Sequence, residues 1–155
     1  MSKPNKIVVL YVDDEENNLV SFKAVFRIKY KVLTAISGEE AIKVLKNNDV
    51  NVIITDQRMP NMTGVEFLEN IIDEFPLPTR ILLTGYADMN AVIDAVNKGK
   101  IFHYLTKPWN EEELDMTITK AYEVFREKVD EKEMNSKLTI SNEQLEFLVR
   151  QKLLS

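Results

Sequence analysis

Five short strand-like runs, IVVLYV (7–12), KVLTA (31–35), VNVIITD (50–56), RILLTG (80–85) and IFHYLT (101–106), alternate along this chain with stretches of helical period. That alternation leaves few folds open. Strands that each feed a helix before the next strand require crossover connections, and these give a parallel sheet with helices on both faces. The first run is almost uninterruptedly apolar, as expected of a central strand covered on both sides. Between the runs, Leu19, Phe22, Val25 and Phe26 fall on one helical face, and Ser37 with Glu40 forms a capping box for a second helix that Asn47 and Asn48 close. Asn61 to Gly64 read as a loop before the helical VEFLENIIDEF, which Pro76 and Pro78 stop. MNAVIDAVNKG is a helix ended by Gly99, and Asn110 with Glu113 caps the last one.

The class is therefore α/β, doubly wound, with five βα units. Strand order is not written in a single sequence. The flavodoxin-like order 2-1-3-4-5 would place the first and third strands side by side, with ligand space beyond their C-terminal ends. Asp13, Asp14 and Asp56 all fall there. Three carboxylates at a semi-buried strand edge repel one another, so raised pKa values, a basic side chain or a hard cation must offset them. All-oxygen ligands in a small site favour Mg²⁺, which keeps several waters and leaves room for phosphate oxygens. Lys107, just past the fifth strand, supplies a compact positive charge within reach of the same edge.

Composition bounds the function. The 155 residues suffice for one good core with an appendage. With 25 acidic against 20 basic residues the net charge is −5, which argues against general attraction to nucleic acid or anionic lipid. The absence of cysteine removes disulfides, thiol nucleophiles and cysteine-bound metals. No apolar stretch approaches the roughly 20 residues that cross a bilayer, and MSKPNK is not a signal peptide. The expected location is the cytoplasm.

The ordered set VDDE, IITDQRMPNMTGVEFL, ILLTG and YLTKPW, over about residues 6 to 126, resembles the receiver domains of two-component response regulators, the group that includes the bacterial chemotaxis regulator. The resemblance implies a flavodoxin-like (βα)5 fold and a signalling phosphoacceptor, not a metabolic enzyme. By position it implies Asp56 as phosphoacceptor, and Asp14 and Asp56 as direct Mg²⁺ ligands with the backbone carbonyl of Arg58. Asp13 would be a ligand chiefly through water. Thr84 and Lys107 would hold the phosphoryl oxygens, with the amide at Gly85 also facing phosphate, and Thr84 and Tyr104 would form the switch. The implied partner is a sensor histidine kinase or phosphotransfer protein. The face made by the fourth helix, fifth strand and fifth helix would carry the output or a homodimer contact. Arg58 and Tyr86, two residues beyond Asp56 and Thr84, hold positions that govern phosphoryl-group lifetime in this family; both are bulky, which predicts a persistent phosphorylated state.

Each feature has a plainer rival. The acidic run could merely favour the N-terminus of the next helix, Asp56 could cap a loop, Thr84 could be an ordinary strand residue, Lys107 a surface lysine and Tyr104 a core aromatic. Their coincidence at one sheet edge decides between the readings. The Lys107-Pro108 step is a candidate cis peptide. His103, the only histidine, lacks companions for a transition-metal site and is expected to face solvent. Trp109 is expected to pack against the last helix or a partner.

The C-terminal part divides the chain into residues 1–128, the receiver, and 129–155, a helical extension. Leu114, Ile118, Ala121, Tyr122, Phe125 and Val129 form one apolar stripe suited to the sheet. Beyond it, Met134, Leu138, Leu145 and Leu148 stand at coiled-coil spacing, which suggests a homodimer through this helix. Two other readings compete: TIS breaks the helix and Ser141 with Gln144 caps a new one, or the segment is a linker toward an output domain outside this chain. Residues 111–155 carry eleven acidic and seven basic side chains and no helix-turn-helix pattern, so DNA binding by this portion is not expected. The competing function is an aspartate-nucleophile phosphatase of the haloacid dehalogenase type. That class needs a D-x-D pair after the first strand, whereas this chain has adjacent aspartates there. A flavin or nucleotide binder would need a glycine-rich loop after strand one, which is absent.

Overall fold

In the computed structural model, which describes residues 6–85 and 89–154, the alternation resolves into β1 (Val8–Val12), α1 (Glu16–Phe26), β2 (Lys31–Ala35), α2 (Gly38–Asn47), β3 (Val52–Asp56), α3 (Gly64–Ile71), β4 (Thr79–Thr84), α4 (Met89–Asn97), β5 (His103–Thr106) and α5 (Glu111–Leu154). All strand pairs are parallel, in the order β2-β1-β3-β4-β5. The flavodoxin-like order that the family resemblance implies is thus the one found. Two compact units divide the chain, Met1–Phe125 and Arg126–Ser155.

In the first unit, the period of two along each strand sends alternate side chains to opposite faces of the sheet. Val9, Tyr11, Val52, Ile54, Ile81, Leu83 and Leu105 meet Leu19, Phe22 and Phe26 of α1 and Leu114, Ile118 and Ala121 of α5. Leu10, Val12, Ile53 and Leu82 meet Ala41 and Leu45 of α2, Phe67, Leu68 and Ile71 of α3, and Val92 and Ala95 of α4. Each large apolar side chain so buried contributes about 1.5–3 kcal/mol. The termini are tied by local chemistry. Ser37 Oγ accepts from Glu40 N at 3.1 Å, and the Glu40 carboxylate accepts from Ile36 N, one residue earlier than a standard capping box. Asn47 and Asn48 side chains donate to the Lys43 and Val44 carbonyls. Gly99, at φ +71, closes α4 with Lys100 N donating to Ala95 O and Gly99 N to Val96 O, the paired bonds of a Schellman motif. The buried Arg80 guanidinium donates to the carbonyls of Lys100, Pro76 and Pro78, and Thr79 Oγ1 donates to Ala121 O.

Several expectations are corrected. Val25 is 40% exposed: at about 100° per residue it sits about 90° off the centre of the Leu19, Phe22 and Phe26 face. Regular α3 ends at Ile71, with Phe75 N still bonded to Ile71 O, so the helix stops short of the prolines. β5 begins at His103, although Phe102 N already donates to Arg80 O. Trp109 packs on the core cluster that contains Leu114 and Ile118 of α5, as expected, and also meets α1, its ring 5.8 Å from Phe26 and 6.2 Å from Phe22. Of the three competing readings of the tail, the break at Ser141 is the one excluded; α5 is continuous to Leu154.

In the second unit this helix exposes Met134, Leu138, Leu145, Phe147, Leu148 and Val149, each by more than half. No helix among the described residues is long and apolar enough to cross a membrane.

Candidate functional site

β1 and β3 are neighbours in register, Val12 opposite Thr55, so the residues that follow them emerge together. Carboxylate oxygens of Asp13, Asp14 and Asp56 lie within 4.8 Å of one another. Asp13 is fully buried and Asp56 nearly so. Lys107 completes the group: its Nζ is 2.9 Å from Asp56 Oδ1 and 3.7 Å from Asp13 Oδ2. Its backbone N donates to Thr84 O, and the Lys107-Pro108 peptide is cis. Three carboxylates against one ammonium leave two negative charges in a small, partly buried volume. The donors are all oxygen, the set a hard divalent cation takes.

Burial is the largest influence on Asp56 and holds its carboxyl above the ordinary range, although the Lys107 hydrogen bond and charge pull the other way. Burial would lower Lys107, but the hydrogen bond and charge of Asp56, with Asp13 behind them, raise it above the usual lysine value. Asp13 is the most closely held carboxylate. Its Oδ2 accepts from Tyr11 Oη at 2.9 Å and Asn18 Nδ2 at 3.1 Å, and its Oδ1 from Glu15 N at 2.9 Å. Burial, and then the neighbouring Asp13 charge, push the Tyr11 phenol far upward, so it stays a donor. A cleft of about 430 Å³ bordered by Tyr11, Asn18, Lys107, Pro108 and Trp109 adjoins the group.

Thr84 is fully buried at the end of β4, and its hydroxyl donates to Gly85 O at 3.0 Å, so it is engaged with its own backbone. Outside its chain neighbours, no atom of the described residues lies within 4 Å of a Cβ built on Gly85, so packing among them does not require a glycine there. The glycine that space demands is Gly64, where a Cβ would stand 2.4 Å from Asp56 O and 2.8 Å from Leu82 Cδ1. Gln57, next to Asp56, ties the same turn: its side-chain oxygen accepts from Val65 N, its carbonyl from Gly64 N, and its own N donates to Leu83 O. Sequence reasoning missed Gly64, Gln57 and the Thr63 cap on Glu66 N, although Thr63 three residues before Glu66 was a readable capping signal. Tyr104 is half-buried beside the core that contains Leu82 and Val92, its ring 6.0 Å from that of the exposed His103. Arg58 is exposed. Tyr86 lies outside the described residues.

The model of the response regulator receiver domain family matches residues 9–119. The hydrogenase transcriptional regulatory protein HoxA of Cupriavidus necator is 36% identical over 147 residues, covering 95% of this chain but 30% of that protein. Among solved structures, an adenylate cyclase from Rhodopirellula baltica aligns with TM-score 0.83 at 29% identity, over 85% of this chain and 98% of that one. A response regulator receiver domain protein from Clostridium thermocellum aligns with TM-score 0.73 at 33% identity, over 79% and 98%. The chain thus spans about 30% of the length of the HoxA relative it matches.

Proposed function

Because this chain belongs to the response regulator receiver family, we propose that Asp56 is its phosphoacceptor and that the group around it accepts a phosphoryl unit from a kinase phosphohistidine. The observation that carries the reading is the Lys107 ammonium 2.9 Å from Asp56 Oδ1, inside a cluster of three carboxylates. An Asp56 oxygen attacks phosphorus in line, the phosphorus–nitrogen bond to the donor imidazole breaks, and an acyl phosphate remains. Lys107 stands where charge on the transferred oxygens needs a partner. Thr84, once its hydroxyl leaves Gly85 O, supplies a second donor, and the Gly85 amide a third. Asp14 and Asp56, with the Arg58 carbonyl, would hold Mg²⁺ directly and Asp13 through water; bound there, the ion would supply the positive charge that offsets the two surplus negative charges.

The output follows from that added charge. Thr84 moving toward phosphate makes room for Tyr104, and the face of α4, β5 and α5 changes with it. Ile93, Phe102 and Met116 stand exposed there, as an interaction face requires. Residues 129–155 serve as a helical linker and a second route to a homodimer, in a cytoplasmic protein that relays a signal and turns over no metabolite. The bulk of Arg58 and Tyr86 favours a phosphorylated state that outlasts seconds.

Intact mass after incubation with acetyl phosphate and Mg²⁺ tests the assignment. A gain of one phosphoryl group is expected in the wild type and none in Asp56→Asn. Equal labelling of both proteins would remove Asp56 from the role.

A further inference from the structure

β1 reads Val8, Val9, Leu10, Tyr11, Val12, and its one polar side-chain atom is the phenol oxygen of Tyr11, a residue 1% exposed. The Tyr11 ring stacks on Phe22 at 4.3 Å between centroids and 11° between planes. A phenylalanine would fill that space and keep that stack. The hydroxyl is therefore not needed for packing, and burying it is unfavourable unless it is hydrogen-bonded. Its partner is Asp13 Oδ2 at 2.9 Å, two residues on and hence on the same side of the extended chain.

What that bond does is visible in the acceptor count at Asp13. A carboxylate offers about four lone-pair sites. The Tyr11 hydroxyl and Asn18 Nδ2 occupy those of Oδ2, and Glu15 N takes one on Oδ1. Lys107 Nζ, at 3.7 Å from Oδ2, is a charge neighbour beyond hydrogen-bond length. One site, on Oδ1, is left. With the carboxylate fixed in this way, its remaining lone pair has a single direction.

We infer that Tyr11 is a positioning residue: its hydroxyl fixes the Asp13 carboxylate so that the one open acceptor site serves a divalent cation or its water. The inference rests on the phosphoacceptor reading above. Tyr11 touches no reacting atom; it acts through Asp13, while its ring stacks on Phe22 of α1 as ordinary core packing.

The test is Tyr11→Phe, with Phe22→Leu as the companion that loosens the stack but keeps the hydroxyl. Mg²⁺ affinity is read by titration calorimetry, and stability by thermal denaturation in chelator. Losing an outer-shell partner weakens metal binding about 10- to 100-fold, and the lower end is expected for Tyr11→Phe. Its labelling by acetyl phosphate should recover to within about twofold of wild type when Mg²⁺ is saturating, since the loss is one of affinity. Phe22→Leu should melt earlier and bind Mg²⁺ as the wild type does. Wild-type affinity in Tyr11→Phe, or an equal loss in Phe22→Leu, overturns the inference while leaving the phosphoacceptor reading intact. No uptake of Mg²⁺ by the wild type brings down both.

Discussion

In the role proposed for it, Asp56 is held between two demands: a phosphoacceptor must be ionised, yet its burial favours the neutral acid. Its folded pKa is raised, so the stability linked to its protonated form is complete below the unfolded carboxylate value of about 4 and lost as pH rises through the folded value. Asp56→Asn should therefore melt higher than wild type at pH 7 in chelator, with the gap closing toward pH ~4; a pH series of thermal melts reads this directly. The glycines make a sharper contrast. Gly64→Ala drives a methyl into Asp56 O and should lower unfolding free energy by about 1–3 kcal/mol, whereas Gly85→Ala should stay within about 0.5 kcal/mol; urea denaturation separates them. The acids and Lys107 were legible because each stands at the C-terminal end of a recognisable strand. Gly64, Gln57 and the Tyr11 hydroxyl were not, because their importance lies in contacts with backbone or side chains that become neighbours only on folding.

Among elements, legibility followed the strength of the local signal. β2 and the caps at Ser37 and Asn110 stand where the sequence put them, because propensity, periodicity and side-chain capping agree there. The end of α3 did not, since a proline sets only an outer limit to a helix. Gly99 shows local dictation most directly: at φ +71 an L side chain costs about 1–2 kcal/mol, the loss expected for Gly99→Ala in chemical denaturation. A tertiary tie was invisible beforehand. The residues after α1 are pinned to α5 by Lys29 Nζ at 2.7 Å from Asp115 Oδ2 and by the Tyr30 hydroxyl donating to Asp115 Oδ1. Burial alone would raise Asp115, but these two hydrogen bonds hold it below the ordinary range. That contribution is present above the unfolded carboxylate pKa and lost as pH falls through the folded one. Asp115→Asn should thus melt below wild type at pH 7, and the two should converge in acid.

For the whole molecule, the class followed from the alternation and the strand order from the family resemblance, while the fate of the tail followed from neither. The same residues fit a break, a linker or a seam, and helical continuity through Ser141 excludes only the first. A seam of Met134, Leu138, Leu145 and Leu148, all exposed in one copy, is expected to make the full chain scatter light as a dimer without any phosphoryl mimic. A chain ending at Lys128 should scatter as a monomer until beryllofluoride is added; dimers of equal strength from both chains would locate association on the α4, β5 and α5 face alone. Gly64 bears on how such a signal could start. Because a methyl on Gly64 would collide with the Asp56 carbonyl, the backbone of the proposed phosphoacceptor has an anvil behind it. On the proposed reading, displacement then falls to Thr84 and Lys107 and not to the Asp56 backbone, so the direction of the response would be built in before any phosphate is present.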